Sequence, residues 1–281
     1  MKVKGSIGFF GYALILLLSF SSCSTEQKLA REAGEYVDKA NLLVLFPDEM
    51  FLLNSKNYNY PDNLTEEELY QASLDSSFFL KDVDTDSIFM EFQKSILSLY
   101  ESYGFTVYQK ENLDSFLALK STGFVIEFTQ LQLEEFYKPF EAKEEMEDGY
   151  LYTESFILNA LGMDVWITVS QLNDTVGANR LIYSEVSVSD EIDGLFSMEF
   201  FSGQVNYNYI LKPLTIIDSY DIISKSSIKT SLDIMDFIVN SYIEKNMLYY
   251  SKRYPERLWR YIPGKARLLP SSEKSGYIIM D

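Results

Sequence analysis

The chain has 281 residues, with 42 Asp and Glu against 24 Lys and Arg, and its formal net charge is −18. A domain this acidic repels phosphate backbones and anionic lipid head groups, so we expect no nucleic-acid partner. Because the sequence contains no His, Ser-His-Asp and Cys-His nucleophile systems and His-ligated zinc are excluded. The hydrophobic content of 47% predicts a folded domain with a full core.

The N-terminal segment has the pattern of a secretory signal. Lys2 and Lys4 precede an apolar run from Phe9 to Phe20, and small residues follow it. This run of about a dozen residues is too short for a membrane core, which takes roughly 20 helical residues. We therefore predict that residues 1–22 are a signal peptide that is removed.

Cys23 is the only Cys in the sequence, so it cannot form an internal disulfide. The segment Phe20-Ser21-Ser22-Cys23 resembles the lipobox of bacterial lipoproteins, in the relaxed form found in Bacteroidota. The resemblance implies that Cys23 is lipidated and anchors the protein to a membrane, with residues 23–39 as a tether. The alternative is an ordinary signal peptide followed by an unpaired Cys.

The resemblance also bears on location. Removal of the signal takes away Lys2 and Lys4 and leaves 22 basic against 42 acidic residues, a net charge of −20, so the lipid must supply the attraction to the membrane. Ser24 in place of Asp favours the outer membrane by the sorting rule of enteric lipoproteins. The segment from Ser24 to Lys28 lacks the acidic run that accompanies surface export, which favours a periplasm-facing protein; surface exposure is the alternative.

The first half of the chain alternates strands and helices. Residues 40–46 predict a buried strand, and 54–85 a polar insertion or long loop around a short helix that Thr65 and Glu68 begin with a capping box. An amphipathic helix is predicted over 86–103, where Gly104 stops it. The remaining elements of this half are a strand at 105–108, a short helix at 112–119 and a long strand over 124–136.

The pattern of the second half of the chain predicts strands with alternating apolar and polar residues, followed by a helix. An acidic loop over 141–149 precedes strands at 165–170, 181–188 and 204–211. The apolar spacing over 231–247 predicts a second amphipathic helix. We therefore predict an α+β domain over 40–247, with one mixed, largely antiparallel sheet and two main helices packed on one face.

This order of elements after a lipobox Cys is similar to that of accessory lipoproteins of envelope transport and secretion, whose domains are related to the N-terminal fold of the TolB protein. The resemblance spans Asn41 to Met247 and concerns element order alone. It implies a non-enzymatic component that binds a protein partner in a cell-envelope assembly. No functional residue is carried over from it.

Few residues in the sequence are candidates for a catalytic or cofactor-binding site. No phosphate-binding glycine loop or dinucleotide fingerprint is present, so we expect no cofactor. A glycan hydrolase needs only two carboxylates and is the alternative function. Glu127, Glu134 and Glu135 lie on or beside a strand, where acidic side chains are ordinarily solvated, and nothing in the sequence pairs them.

Asp82, Asp84 and Asp86 are a weak calcium candidate, because alternate oxygen ligands open a calcium loop. Ser87 stands where the turn glycine belongs, and Gln93 where the bidentate Glu belongs. The stronger interpretation is that these acidic residues cap the helix that follows.

The segment 248–281 is a basic and aromatic tail in an acidic protein. Its candidate partner-binding residues are Arg253, Arg257, Trp259, Arg260, Tyr261, Lys265 and Arg267. Such a tail can dock on an acidic partner or on lipid phosphates. The favoured alternative is that it lies back on the acidic face of its own domain.

Overall fold

The computed structural model describes residues 31–56, 60–61, 63–146, 149–172, 180–246, 258–262, 267–271 and 276–280. The predicted signal peptide and Cys23 lie outside the described residues. Among the described residues, no helix combines the length and the apolar character needed to cross a membrane.

The domain is α+β, as predicted. The helices are α1 (31–38), α2 (Glu66–Asp75), α3 (Thr85–Ser102), α4 (Leu113–Leu117) and α5 (Ile216–Asn246). The strands are β1 (Asn41–Leu45), β2 (Phe51–Asn54), β3 (Thr106–Tyr108), β4 (Gly123–Glu145), β5 (Leu151–Gln171), β6 (Arg180–Ser189), β7 (Glu191–Met198), β8 (Val205–Lys212), β9 (Leu258–Ile262), β10 (Arg267–Ser271) and β11 (Tyr277–Met280).

The main sheet is mixed and has the strand order β11-β6-β5-β4-β1-β3, with β2 pairing with β4 beyond β1. β1 is parallel to β3 and β4, and β2 is parallel to β4. The long ladders of β4 with β5 and β5 with β6 are antiparallel. The predicted mixed sheet is therefore confirmed.

The main core lies between one face of this sheet and the helices α3 and α5. Successive side chains of a strand point to opposite faces, and the apolar side chains that β5 contributes to this core are all buried: Leu161, Met163, Val165, Ile167 and Val169. They join one cluster with Phe92 and Ile96 of α3 and Ile234 and Ile238 of α5. The opposite face of β5 carries Asp164 and Trp166, which pair with Glu185 and Tyr183 of β6.

Two predicted boundaries of elements within the domain are wrong. The predicted acidic loop over 141–149 begins as strand, because β4 runs on to Glu145 and pairs with β5. The predicted helix over 231–247 is the second half of α5, which begins at Ile216. The first half of α5 carries buried Ser and Thr side chains. Ser227 Oγ, for example, donates a hydrogen bond to the Ile223 carbonyl 2.8 Å away, which allows the hydroxyl to lie inside the core. Because these residues are polar, they interrupt the apolar spacing by which a buried helix is predicted from sequence.

The C-terminal segment is part of the domain rather than a separate tail. β9 and β10 form a hairpin, and β9 packs against α5. β11 joins the main sheet as the neighbour of β6. The boundary predicted at residue 247 is corrected because the last described strand completes an edge of the sheet.

Candidate functional site: a projecting aromatic arm

β4 and β5 extend well beyond the main sheet. The pairing of β2 with β4 ends at Glu135, and the pairing of β6 with β5 ends at Ala160. Beyond these points, 136–145 and 151–160 continue as a two-stranded hairpin about 30 Å long. β7 and β8 form a second hairpin that packs on the first. We call the two hairpins, residues 136–160 and 191–212, the arm.

Aromatic side chains hold the two hairpins of the arm together. They alternate along the strands and so share the inner faces: Phe140, Tyr152, Phe156, Phe196, Tyr207 and Tyr209. The ring centroids of Phe156 and Tyr209 are 4.8 Å apart, and those of Phe196 and Tyr207 are also 4.8 Å apart. A side chain at Gly194 would come within 2.7 Å of the Tyr207 ring, so this glycine allows the ring to lie across β7.

The end of the arm exposes large apolar side chains. Phe200 is 93% exposed and Phe201 is 99% exposed in the turn between β7 and β8. Tyr150 and Leu151 are exposed at the turn of the first hairpin. Both turns lie at the same end, because Tyr152, just after the first turn, and Phe196, just before the second, have ring centroids 6.3 Å apart. Exposed apolar patches of this kind mark interaction sites.

The arm is acidic around these apolar residues. Its sequence contains nine Asp and Glu and three Lys, a net charge of −6. Lys143 pairs with Glu141, with Nζ and Oε2 2.6 Å apart, and Lys212 lies 3.8 Å from Glu191. The arm therefore presents an apolar tip with a negative surround.

A single buried carboxylate fixes the root of both hairpins. Asp190, between β6 and β7, accepts hydrogen bonds from the backbone and side-chain nitrogens of Asn159 at 2.8 and 2.9 Å. It also accepts a hydrogen bond from the backbone nitrogen of Leu214 at 2.7 Å, just after β8. The two hairpins are thus tied to each other where they leave the body.

A buried ion pair extends this root network into the body. Lys56 Nζ donates to Glu135 Oε1 at 2.5 Å and to Asn159 Oδ1 at 2.9 Å. Glu135 also accepts from the backbone nitrogens of Phe78, Phe79 and Leu80. Lys56 is 4% exposed and Glu135 is fully buried. The network therefore joins the segment before β4, the two long strands and the base of the arm.

The sequence interpretation of Glu135 as a solvated side chain is wrong. Leu131, Leu133 and Glu135 are on the same face of β4, and all three are fully buried. Their spacing of two was the signal in the sequence, because it places Glu135 on the apolar face. Its partner Lys56 lies in the segment predicted to be an insertion, so no local pattern joined the two.

A second polar cluster lies on the sheet face opposite α5. Tyr183 Oη donates to Asp164 Oδ1 at 2.5 Å and lies 3.3 Å from Glu185 Oε2. The ring of Tyr183 packs on that of Trp166, with centroids 5.2 Å apart. Burial raises the pKa of Asp164 above its usual range; the Tyr183 hydrogen bond opposes this, and the nearby carboxylates Glu185 and Glu134 add to it. No sequence pattern had paired these carboxylates.

The calcium candidate has a helix-capping structure. Asp84 is the N-cap of α3, and its oxygens accept from the Ser87 backbone nitrogen at 3.3 Å and from Ser87 Oγ at 2.6 Å. These bonds lower the pKa of Asp84. Asp82 ends a 3₁₀ turn, and Asp86 lies in the first turn of α3. Across the described part of the chain, no three acidic side chains are grouped as metal ligands would be.

The described tail residues pack on their own domain. Trp259 and Tyr261 are buried, and Arg260 Nη1 lies 2.7 Å from Asp236 Oδ2 on α5. Asp236 also accepts from the Tyr261 backbone nitrogen at 2.6 Å. The hypothesis that Trp259, Arg260 and Tyr261 bind a partner is therefore corrected. These residues contact α5 of their own domain instead. Arg253, Arg257 and Lys265, and the side chain of Arg267, lie outside the described residues.

Comparisons with known proteins do not identify the chain. No protein-family model matches it, and no curated protein does. Among solved structures it is similar to a protein described as a neuraminyllactose-binding hemagglutinin homolog from Helicobacter pylori. The identity is 14%, the match covers 76% of this chain and 91% of that one, and the TM-score is 0.31. A likeness at this level assigns no function.

Proposed function

We propose that this protein is a membrane-anchored, non-enzymatic lipoprotein of the cell envelope, whose arm binds a partner protein in an assembly or transport system. The observation that carries the proposal is the pair of almost fully exposed Phe side chains, Phe200 and Phe201, at the end of the arm. Burying a Phe side chain is worth about 1.5 to 3 kcal/mol, and aromatic residues dominate the energetics of protein interfaces.

The way the arm is built supports this proposal. The root network around Asp190 and the aromatic packing between the hairpins restrict the arm before any partner arrives. A binding element that is already ordered loses less conformational entropy on association. The acidic residues around the tip provide solubility for an apolar surface that would otherwise favour aggregation.

The anchor at Cys23 is the second part of the proposal. Ala33 and Val37 of α1 are buried, and Tyr36 stacks on Tyr242 of α5 with centroids 4.2 Å apart. The chain is therefore attached to the body soon after residue 31. The segment between Cys23 and Arg31 spans at most about 30 Å when fully extended, so a lipid on Cys23 would hold the body close to the membrane.

The decisive experiment replaces both tip residues in the intact lipoprotein, as Phe200→Ser with Phe201→Ser. The reference chain should capture a partner protein from cross-linked envelopes. The double variant should not capture this partner. The free energy of unfolding should change by less than about 0.5 kcal/mol, because neither ring packs on the domain.

The matched control is Phe78→Ser, since Phe78 is also a largely exposed Phe but lies outside the arm. This control should retain the captured partner. Equal capture of the partner by the double variant and by the reference chain would show that the tip of the arm does not bind the partner.

A second candidate function, a carboxylate-dependent glycan hydrolase, is favoured by one observation. Asp164 and Glu185 reach the same Tyr183 hydroxyl, so their nearest oxygens are no more than about 6 Å apart, near the spacing of retaining glycosidases. One of the two, Asp164, has a raised pKa, as a general acid requires.

This candidate predicts that Asp164→Asn reduces hydrolysis of an envelope glycan at least about 100-fold, because general acid catalysis contributes on this scale. Release of reducing ends from purified peptidoglycan by the reference chain and the variant would measure it. The control is Glu127→Gln, since Glu127 lies on β4 outside the cluster. If the reference chain releases no reducing ends, the hydrolase candidate is rejected.

A further inference from the structure

This inference rests on the proposed function and names the chemistry of the partner. We propose that the partner offers an apolar pocket bordered by Lys and Arg, into which Phe200 and Phe201 insert while the acidic residues of the arm meet the basic border.

The turn that carries the two Phe residues is closed by its own hydrogen bonds. The backbone nitrogen of Glu199 donates to the Gln204 carbonyl at 2.8 Å, and that of Gly203 donates to the Glu199 carbonyl at 2.9 Å. Gly203 has a φ of 66°, a conformation that glycine adopts without strain. Ser202 Oγ donates to Glu199 Oε2 at 2.8 Å. The two rings are therefore presented by an ordered turn and not by a loose loop.

The apolar tip and the negative charge lie together. Glu199 immediately precedes Phe200, and Glu144 Oε2 lies 3.4 Å from the backbone nitrogen of Phe196 near the same end. Glu145 and Glu154 are exposed on the first hairpin. Any surface that covers the tip must also approach these carboxylates. Basic side chains would stabilise that contact and raise the association rate.

The same charge argues against two other occupants of the tip. A bilayer with anionic head groups repels an arm of net charge −6, so insertion of the Phe pair into lipid is opposed. A second copy of the chain would bring two negative arms together, which like-charge repulsion also opposes. An apolar pocket with a basic border would bury the two Phe rings and pair with the surrounding carboxylates.

The experiment places a benzophenone photo-cross-linker at Phe201 of the intact lipoprotein in native membranes, and mass spectrometry identifies the attached molecule. The expected product is one envelope protein, cross-linked at an apolar site with an excess of Lys and Arg around it. The charge-reversed variant Glu145→Lys with Glu154→Lys should reduce the cross-link yield about tenfold at low salt. Glu91→Lys with Glu101→Lys, the same charge change on α3, should leave the yield unchanged.

The other outcomes separate the two proposals. Cross-links to lipid or to a second copy of the chain would overturn the inference. A protein cross-link without a basic border, or one insensitive to the charge reversal, would overturn the inference and leave the proposed function standing. Undiminished capture of the partner from cross-linked envelopes when both Phe residues become Ser would overturn the proposed function itself.

Discussion

At the scale of single residues, the ion pair of Lys56 and Glu135 contributes specificity to the fold. Both charges are almost completely removed from water, and each has further hydrogen-bond partners. A buried pair of this kind contributes little net stability relative to apolar residues, but removal of one partner leaves an uncompensated charge in the core. The pair thereby selects the arrangement in which the segment before β4 meets the root of the arm.

We predict that Lys56→Met lowers the free energy of unfolding by about 3 to 5 kcal/mol, since Glu135 would remain buried without its counter-ion. Urea titration followed by circular dichroism would measure the change. The control is Lys143→Met, which removes the partner of Glu141 in an exposed pair and should cost less than about 1 kcal/mol. Equal losses in the two variants would show that the buried pair is replaceable.

At the scale of secondary structure, β11 depends on a contact with α5. Lys229 Nζ donates to the Gly276 carbonyl at 2.5 Å and lies 2.7 Å from Asp233 Oδ2. Asp233 also accepts from Ser184 Oγ of β6 at 2.7 Å. A Cβ atom at position 276 would lie within 2.3 Å of Asp233 Oδ1, so only Gly fits. This polar cluster therefore sets the position at which the last strand reaches the sheet edge.

Gly276→Ala should separate β11 from β6 while the rest of the domain stays folded. Hydrogen exchange of the amides of 277–280 should become faster by at least about tenfold, because displaced strands open with little cost. Ile278→Ala is the control, since this exposed side chain lies on the same strand and leaves the Gly276 contact intact. Unchanged hydrogen exchange in the Gly276 variant would mean that the Lys229 and Asp233 side chains move to accommodate the methyl group and that β11 stays paired with β6.

At the scale of the whole molecule, the proposed lipid and the arm are separate attachments. The body between them holds the root of the arm through buried polar groups and the start of the chain through α1. Because the protein surface is acidic, membrane attachment would depend on the lipid, while the arm stays available for a partner.

We predict that mass spectrometry of the Cys23 peptide from native membranes finds an acylated N-terminal Cys. Cys23→Ser should abolish labelling of the protein by a fatty acid in living cells, because the variant lacks the sulfur that would carry the lipid. Ser22→Ala is the comparison variant and should keep the label. An unmodified thiol on Cys23 would contradict the anchor.

The extent to which the fold follows from the sequence depends on whether a signal is local. The helix predicted over 86–103 is observed at Thr85–Ser102, since apolar spacing and Gly104, with a φ of 92°, both lie within the segment. The capping box of Thr65 and Glu68 is confirmed for the same reason. The separate hairpin of β7 and β8 was missed because alternation in β8 does not say which strand is its neighbour.

The candidate site was largely beyond sequence reasoning. The exposure of Phe200 and Phe201 arises because their turn lies at the end of an arm and not against the core. Local apolar residues normally predict burial, so the sequence favours the opposite conclusion. Asp190 and Asn159 are joined only once both hairpins exist, and no spacing along the chain records such a contact.

The pairing of β11 with β6 also determines the order in which the fold can be completed. Tyr277 pairs with Ser184, a residue made much earlier during synthesis. Until β11 is in place, the edge of β6 stays open and can pair with a wrong strand or a neighbouring chain. This edge of the sheet is therefore protected only in a chain that contains both strands, so a partly folded protein must be kept apart from other chains until β11 has paired.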